Sequence, residues 1–150
     1  MRYRWSALAV VLALVFMPRV SFAQSGSTPQ KAPVAVLKQN YPNPFNPQTQ
    51  GNFLIGDFPA CTDGGKQHRV SLKIYNILGQ LVKVPQLQGG TGTVAGGQAL
   101  ENVLLPCGQY SWYWDGHYRS TEQEVASGVY ILIVDVDGTK GPVLRMTVHK

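Results

Sequence analysis

Two cysteines are the residues of this chain whose type and number most clearly suggest chemistry. Cys61 and Cys107 are the only cysteines among 150 residues. In an exported protein such an even pair indicates a disulfide, and closing a loop of this length would stabilise the fold by about 4 kcal/mol in the chain-entropy treatment. Two free buried thiols are the alternative. Two cysteines and three scattered histidines do not have a metal-ligand spacing.

The other groups that could do chemistry lack the partners that the chemistry needs. Ser127 lies in Ala-Ser-Gly rather than in a G-x-S-x-G elbow, and no His/Asp pair has a spacing that suggests a triad. The run 135–138 (DVDG) matches part of a calcium loop but lacks the remaining ligands, so a hairpin turn is the better interpretation. Glu122 and Glu124 are expected to be a solvated pair. We therefore predict no enzyme, no cofactor and no small-molecule substrate.

The first residues of the chain predict export. Arg2 and Arg4 precede an apolar run over residues 5–17, and Ser-Phe-Ala follows at 21–23. This is the pattern of a secretory signal peptide, with cleavage after Ala23. The apolar run is shorter than the roughly 20 residues that a membrane span needs, although an uncleaved anchor is the alternative. The segment therefore predicts that the chain is exported.

Removal of residues 1–23 changes the charge of the protein. It takes away Arg2, Arg4 and Arg19 but no acid, so the formal net charge falls from +5 to +2. A nearly balanced surface predicts no nucleic-acid partner. Residues 24–36 are mostly polar and contain proline, serine and glycine, which predicts a flexible linker, with residues 34–37 as a candidate first edge strand.

The elements that must position the cysteines are short strands. Alternation of apolar and polar residues with a period of two is typical of half-buried strands, and it is clearest at residues 70–75. No helical period occurs after the signal segment. The other candidate strands are residues 51–58, 81–84, 99–105, 109–115, 128–136 and 144–148. About seven short strands separated by turn signals predict an all-β, immunoglobulin-like or fibronectin-III-like β-sandwich.

Four expectations follow for particular segments. Residues 128–136 are apolar on both faces, as in a central strand covered on both sides. The glycine-rich run 86–98 is expected to be a mobile loop outside the core, since neither a Lys-Ser/Thr pair nor a helix follows to make a phosphate cradle. Gly79 can take positive φ in a turn. Asp137-Gly138 predicts a hairpin turn.

The candidate strand at residues 109–115 carries a stripe of aromatic side chains, and its pairing decides where the cysteines lie. Tyr110, Trp112 and Trp114 lie on one side of their strand, which is typical of sandwich core, with a sugar- or peptide-stacking platform as the alternative. If this strand pairs antiparallel with residues 51–58, Cys61 and Cys107 lie at the same end of the sheet, close enough to bridge.

A proline-rich segment, residues 41–47, marks the start of the domain. Its three prolines fix φ and remove backbone donors, so it can form neither a helix nor a central strand. Its two large apolar side chains, Tyr41 and Phe45, are expected to anchor it on the core. We call it the proline ribbon, and it consists of Tyr41, Pro42, Asn43, Pro44, Phe45, Asn46 and Pro47.

Five segments resemble one family in sequence and in order. They are residues 39–49 (QNYPNPFNPQT), residues 70–80 (VSLKIYNILGQ), Trp114-Asp115-Gly116, residues 126–130 (ASGVY, with Gly128 and Tyr130), and residues 145–150 (RMTVHK). Together they resemble the type A C-terminal sorting domain of type IX secretion cargo, which is grouped with the Ig-like domain of flagellar hook-capping proteins. The resemblance covers residues 37–150, and Gly79 belongs to its second segment.

The resemblance implies a non-catalytic Ig-like module that directs an exported protein from the periplasm through the outer membrane. The expected destination is the periplasm, and then the cell surface or the extracellular medium. Its implied partner is the outer-membrane secretion machinery, which is expected to recognise the proline ribbon and the terminal strand, with surface attachment to follow. Their exposed edges are candidate strand-addition sites. The alternative is a small secreted structural or adhesive Ig-like protein without a sorting role. A third hypothesis is carbohydrate binding through Tyr113, Tyr118 or exposed tryptophans.

Overall fold

Alternating side chains build nine antiparallel-paired strands in the computed structural model, which describes residues 34–90 and 94–150. All of these residues belong to one compact unit. The strands are β1 (Ala35–Leu37), β2 (Thr49–Ile55), β3 (Gln67–Asn76), β4 (Leu81–Lys83), β5 (Gln86–Gln88), β6 (Val103–Pro106), β7 (Gly108–Trp114), β8 (Gly128–Val136) and β9 (Thr139–Val148).

The strands form two sheets. One sheet has the order β1-β2-β7-β5, and the other has the order β4-β3-β8-β9, with β6 also paired to β3. The fold is therefore an all-β two-sheet sandwich, as predicted. The predicted signal peptide and residues 24–33 of the predicted linker lie outside the described residues. β1 crosses the predicted boundary between linker and domain, because it pairs with β2 from Ala35 onward.

The core lies between the sheets and is filled by every second side chain. Phe53, Trp112 and Trp114 from one sheet and Leu72 and Leu132 from the other are fully buried. The aromatic stripe is thus sandwich core, not an exposed stacking platform. Burial of apolar area on this scale is the main term that stabilises such a domain.

β2 and β7 pair antiparallel, as expected, and this pairing places Cys61 and Cys107 at the same end of the sheet. Gly51 lies opposite Trp112 and Ile55 lies opposite Gly108 in an antiparallel pair. A side chain at Gly51 would overlap the Trp112 ring, since a Cβ there would lie 2.8 Å from a ring carbon. The glycine therefore makes room for the largest core side chain of the neighbouring strand.

Three expectations about segments are corrected. The count of about seven strands is too low, mainly because residues 86–98 are not wholly a loop outside the core: β5 pairs with β7, and Leu87 is buried. β5 has three residues and Leu87 is its one apolar side chain, so it is too short to produce a period-2 pattern. β8 is not covered equally on both faces, because buried and half-buried residues alternate along it from Val129 onward. β2 ends at Ile55 instead of residue 58, since Gly56 turns the chain with φ of 72°.

Candidate functional site

The proline ribbon docks on the edge of the terminal strand β9. The Phe45 amide donates to the Thr147 carbonyl oxygen (3.0 Å), and the His149 amide donates to the Phe45 carbonyl oxygen (3.0 Å). These bonds make an isolated parallel bridge between Phe45 and Val148. The ribbon thereby occupies the C-terminal part of the β9 edge, so the expectation of a free strand-addition edge there is wrong.

One aromatic side chain anchors the ribbon. Phe45 is 2% exposed and packs edge-on against Trp114, with ring centroids 5.3 Å apart, and Trp114 packs in the same way on Tyr130 at 5.4 Å. Such edge-to-face pairs add to the stabilisation from burial alone. Tyr41, the other predicted anchor, is 77% exposed. That prediction is wrong because the backbone of Tyr41 is fixed by a reciprocal pair of hydrogen bonds with Gln50, which leaves its side chain in solvent.

Side chains of the ribbon and its flanks add hydrogen bonds that hold the ribbon in place. The side-chain amide of Asn40 donates to the Pro42 carbonyl oxygen (3.0 Å) and to the Thr49 hydroxyl (2.9 Å). The Thr49 hydroxyl in turn donates to the Pro42 carbonyl oxygen. The Thr147 amide donates to the Asn43 side-chain oxygen (2.9 Å). Asn40 and Thr49 are each 2% exposed. Both lie within the resembling segment 39–49, but no local pattern in the sequence gives them this role; buried polar groups such as these need hydrogen-bond partners.

The Trp114-Asp115-Gly116 turn closes against the other end of the ribbon. Gly116 has φ of 77°, and a Cβ there would overlap the Pro47 carbonyl oxygen. The Asp115 carboxylate accepts the His117 amide (3.0 Å), while the Trp114 indole donates to the His117 carbonyl oxygen (3.1 Å). Only glycine fits both the left-handed backbone and the close approach.

The chain terminus is tied to the same region. The Lys150 amide donates to the Ser127 hydroxyl (3.0 Å), and its ammonium group donates to the Glu124 carboxylate (2.7 Å). The hydrogen bond from Lys150, followed by its charge, lowers the pKa of Glu124. The Tyr130 hydroxyl donates to the Ala126 carbonyl oxygen (2.9 Å), and burial raises the pKa of Tyr130. The resembling segments 39–49, 114–116, 126–130 and 145–150 therefore meet at one end of the sandwich, which we call the ribbon end.

The second resembling segment places its turn at this end too. Gly79 has φ of 74°, as expected, in the turn between β3 and β4. Asn76, which begins the turn, lies opposite Tyr130 in the β3–β8 pair. Gly128 begins β8 opposite Val148. Asn46 is exposed and Pro47 is half-buried.

The opposite end of the sandwich, which we call the disulfide end, holds the Cys61–Cys107 bond. The two Cα atoms are 5.5 Å apart and the residues are separated by 46 positions. The predicted pairing is confirmed. In the connected loop the Thr62 hydroxyl and amide donate to the Asp57 carboxylate and lower the pKa of Asp57.

The β8–β9 hairpin also lies at the disulfide end. Asp137 and Gly138 have φ of 55° and 80°, as in the predicted two-residue turn. The Asp137 carboxylate contacts the His68 ring (2.7 Å) and accepts the Arg69 amide (2.8 Å). The hydrogen bond from His68 is the main cause that lowers the pKa of Asp137. Within residues 34–90 and 94–150, no three His, Cys, Asp or Glu residues cluster as a metal site would require.

The remaining candidate binding residues are half-buried. The Tyr113 hydroxyl donates to Gln48 (2.8 Å), and Tyr118 packs partly against the core beneath Arg119, whose guanidinium carbon lies 5.1 Å from the Tyr118 ring centre. Trp112 and Trp114 are fully buried, so neither offers an exposed ring for sugar stacking. The described part of the chain contains no helix that could span a bilayer.

Comparisons with known proteins add little to this geometry. No protein-family model matches the sequence, and no curated protein matches it. A solved structure of Pseudomonas fluorescens alkylpurine DNA glycosylase AlkC, bound to DNA containing an abasic site analog, is similar over 79% of this chain with 14% identity and a TM-score of 0.43. This chain spans 31% of the length of that structure. A likeness at this level carries no argument about function, and the all-β two-sheet sandwich is the classification that the coordinates support.

Proposed function

We propose that this chain is a non-catalytic, exported Ig-like module that acts as a sorting domain, recognised by outer-membrane secretion machinery of the type IX kind. Its route would run from the periplasm to the cell surface, where attachment follows. The proposal takes its family from the resemblance of the five segments. The observation that supports it best is their convergence at the ribbon end, although they are scattered over more than a hundred positions of sequence.

The exposed side of the ribbon is the recognition surface that we assign. Tyr41, Pro42 and Pro44 are exposed, whereas Phe45 holds the ribbon in place from beneath. A proline-fixed backbone loses little conformational entropy on binding. An exposed tyrosine beside it supplies contact area and a hydroxyl group. The C-terminal part of the terminal strand is no longer a free edge, since the ribbon pairs with it at Thr147 and His149.

A reporter fusion tests the proposal. Residues 34–150, placed behind a reporter with a cleavable signal peptide, should carry the reporter to the surface of a cell that has type IX machinery. Tyr41→Ala should reduce the surface fraction without unfolding the module, because this side chain lies in solvent. Leu104→Ala, another exposed apolar position, is the matched control and should leave sorting intact. Retention of the unmodified fusion in the periplasm would contradict the proposal.

The second candidate function is that of a secreted structural or adhesive Ig-like protein. The observation that favours it is a pair of neighbouring aliphatic side chains, Ile77 and Leu78, that are 76% and 77% exposed. Periplasmic retention of the fusion, together with self-association of the purified chain, would favour this candidate over sorting.

A further inference from the structure

The outer face of the sheet β1-β2-β7-β5 is polar but carries almost no charge. Its strands β2, β5 and β7 contain no charged residue, whereas β3, β8 and β9 of the other sheet each contain at least one. Lys38, whose backbone amide donates to the Asn52 carbonyl oxygen, lies at the margin beside β1. Soluble domains usually distribute charged side chains over such a surface. A ligand on this face would therefore meet uncharged hydrogen-bonding groups.

Six side chains of β2, β5 and β7 form a compact patch on this face. They point away from the core, because they alternate with the buried residues of their strands. The strand register places them in two rows that cross three strands, so the patch measures roughly 10 by 7 Å between backbone positions. We call it the amide patch, and it consists of Gln50, Tyr113 and Gln86 in one row and of Asn52, Ser111 and Gln88 in the other.

Hydrogen bonds fix the middle of the amide patch. The Ser111 hydroxyl donates to the Asn52 side-chain oxygen (2.7 Å), and the Tyr113 hydroxyl donates to Gln48 (2.8 Å). Gln50 and Gln88 lie exposed on either side of these groups. Each side-chain amide can offer a ligand two donor hydrogens and one acceptor oxygen. A partly fixed set of polar groups lowers the entropy cost of binding.

An exposed aromatic ring lies beside the amide patch. Tyr41 exchanges backbone hydrogen bonds with Gln50, which places it at the end of one row, and its side chain is 77% exposed. Tyr41 lines a cleft of about 140 Å³. The other side chains that line this cleft are amides and a hydroxyl, namely Gln39, Gln50, Asn52, Gln88 and Ser111. The cleft thus combines an open aromatic ring with groups that both donate and accept hydrogen bonds.

We propose that this cleft and the amide patch bind a neutral saccharide. Sugar hydroxyls donate and accept hydrogen bonds, as amide and hydroxyl side chains do, and the apolar face of a sugar ring can pack on the Tyr41 ring. A phosphorylated or sulfated ligand would need cations, which the amide patch lacks. A protein partner would need an apolar or aromatic anchor at the centre of the contact, where this cleft has Asn52 and Ser111. The inference goes beyond a sorting role and does not depend on it.

NMR titration of the full chain tests the site with defined probes. The probes are maltohexaose, cellohexaose and mannohexaose, which are neutral oligosaccharides with different linkages or sugars. We expect at least one of them to shift the side-chain amide signals of Gln50, Asn52 and Gln88. The signals of Gln67 and Gln123, two exposed glutamines outside the cleft, should stay in place. The proposal is overturned if none of the three probes shifts the cleft signals.

A double variant measures what the exposed amides contribute. Gln50→Ala/Gln88→Ala should raise the dissociation constant of the shifting probe about tenfold or more, because each lost amide removes hydrogen bonds to the sugar. Gln67→Ala/Gln123→Ala is the matched control, since it removes two exposed glutamines elsewhere, and it should leave the constant unchanged. Equal constants for the two double variants would contradict the proposal.

A pair of polymers tests the argument from charge. Dextran is neutral, and dextran sulfate carries anionic groups on the same backbone. Dextran sulfate should bind no more tightly than dextran, and salt should have little effect, because no charged side chain belongs to the amide patch. Tighter binding of dextran sulfate that weakens with salt would overturn the proposal. Self-association of the full chain that Gln50→Ala/Gln88→Ala abolishes would also overturn it, since a second copy would then cover the face.

Discussion

Each end of the sandwich holds one segment that is not a strand, and the two segments are held by different interactions. At the disulfide end the loop between β2 and β3 is exposed from Asp57 to Lys66 except at Cys61, so it buries little apolar area. A covalent bond ties it to Cys107, between β6 and β7. At the ribbon end a single buried phenylalanine and a set of side-chain hydrogen bonds hold the proline ribbon without covalent help. The proline ribbon is thus held by packing and hydrogen bonds, whereas the polar loop also carries a covalent cross-link.

The largest effect should come from removing the anchor of the ribbon. Phe45→Ala leaves a cavity beside Trp114 and should lower the free energy of unfolding by about 3–5 kcal/mol. Chemical denaturation measures this. Amide exchange at Thr147 and His149 should also accelerate, because their hydrogen bonds to the ribbon depend on its docking. Tyr41→Ala, within the same ribbon but exposed, should change stability by no more than about 0.5 kcal/mol. Equal losses for the two variants would refute the assignment of Phe45 as the anchor.

Cutting the covalent tie at the other end should have the next largest effect. The double variant Cys61→Ala/Cys107→Ala should cost about 2–4 kcal/mol, mainly because the unfolded chain regains the freedom of a 46-position loop. Exchange of the Thr147 and His149 amides under native conditions should not change, as the ribbon is held independently. Faster exchange at these amides would mean that the two ends are coupled.

A comparison of two glycines tests how closely the ribbon packs against the Trp114-Asp115-Gly116 turn. Gly116 and Gly79 have nearly the same positive φ, but a Cβ at Gly116 would overlap the Pro47 carbonyl oxygen, whereas a Cβ at Gly79 would meet open space. Gly79→Ala should therefore cost about 1–2 kcal/mol from backbone strain alone. Gly116→Ala should cost measurably more in the same denaturation experiment. Equal costs would show that the ribbon can move away from the turn.

The contrast between the two ends also explains what could be predicted from sequence. Period-2 alternation in about seven segments separated by turn signals was enough to predict the sandwich. The disulfide could be predicted because two cysteines allow a single intramolecular pairing, and the expected pairing of β2 with β7 brings them to the same end of the sheet. The docking of Phe45 on β9 is a contact between distant segments that no local pattern specifies. The same holds for the exposure of Tyr41, which follows from its backbone pairing with Gln50. β5 escaped notice because Leu87 is its single apolar residue.

Protonation of one carboxylate at each end should have the smallest effect on the free energy of unfolding. The pKa values of Asp137, at the disulfide end, and Glu124, at the ribbon end, are both lowered, from ordinary values of 3.8 and 4.5. A carboxylate whose folded-state pKa lies below its unfolded value contributes stability above the unfolded pKa and loses it as the pH falls through the folded pKa. Both contributions should therefore be complete well above the ordinary values of 3.8 and 4.5, and should be lost as the pH falls through the lowered folded-state pKa values.

Carboxyl NMR titration measures the two sites separately. The Asp137 midpoint should lie below 3.8 and the Glu124 midpoint below 4.5. Lys150→Met should raise the Glu124 midpoint and leave that of Asp137 in place, because the hydrogen bond from Lys150 is the main cause at the ribbon end alone. His68→Phe should raise the Asp137 midpoint and leave that of Glu124 in place, because the hydrogen bond from His68 is the main cause at Asp137. If either substitution moved both midpoints, the electrostatics of the two ends would be linked through the sandwich, and the independence that the first two variants test would fail as well.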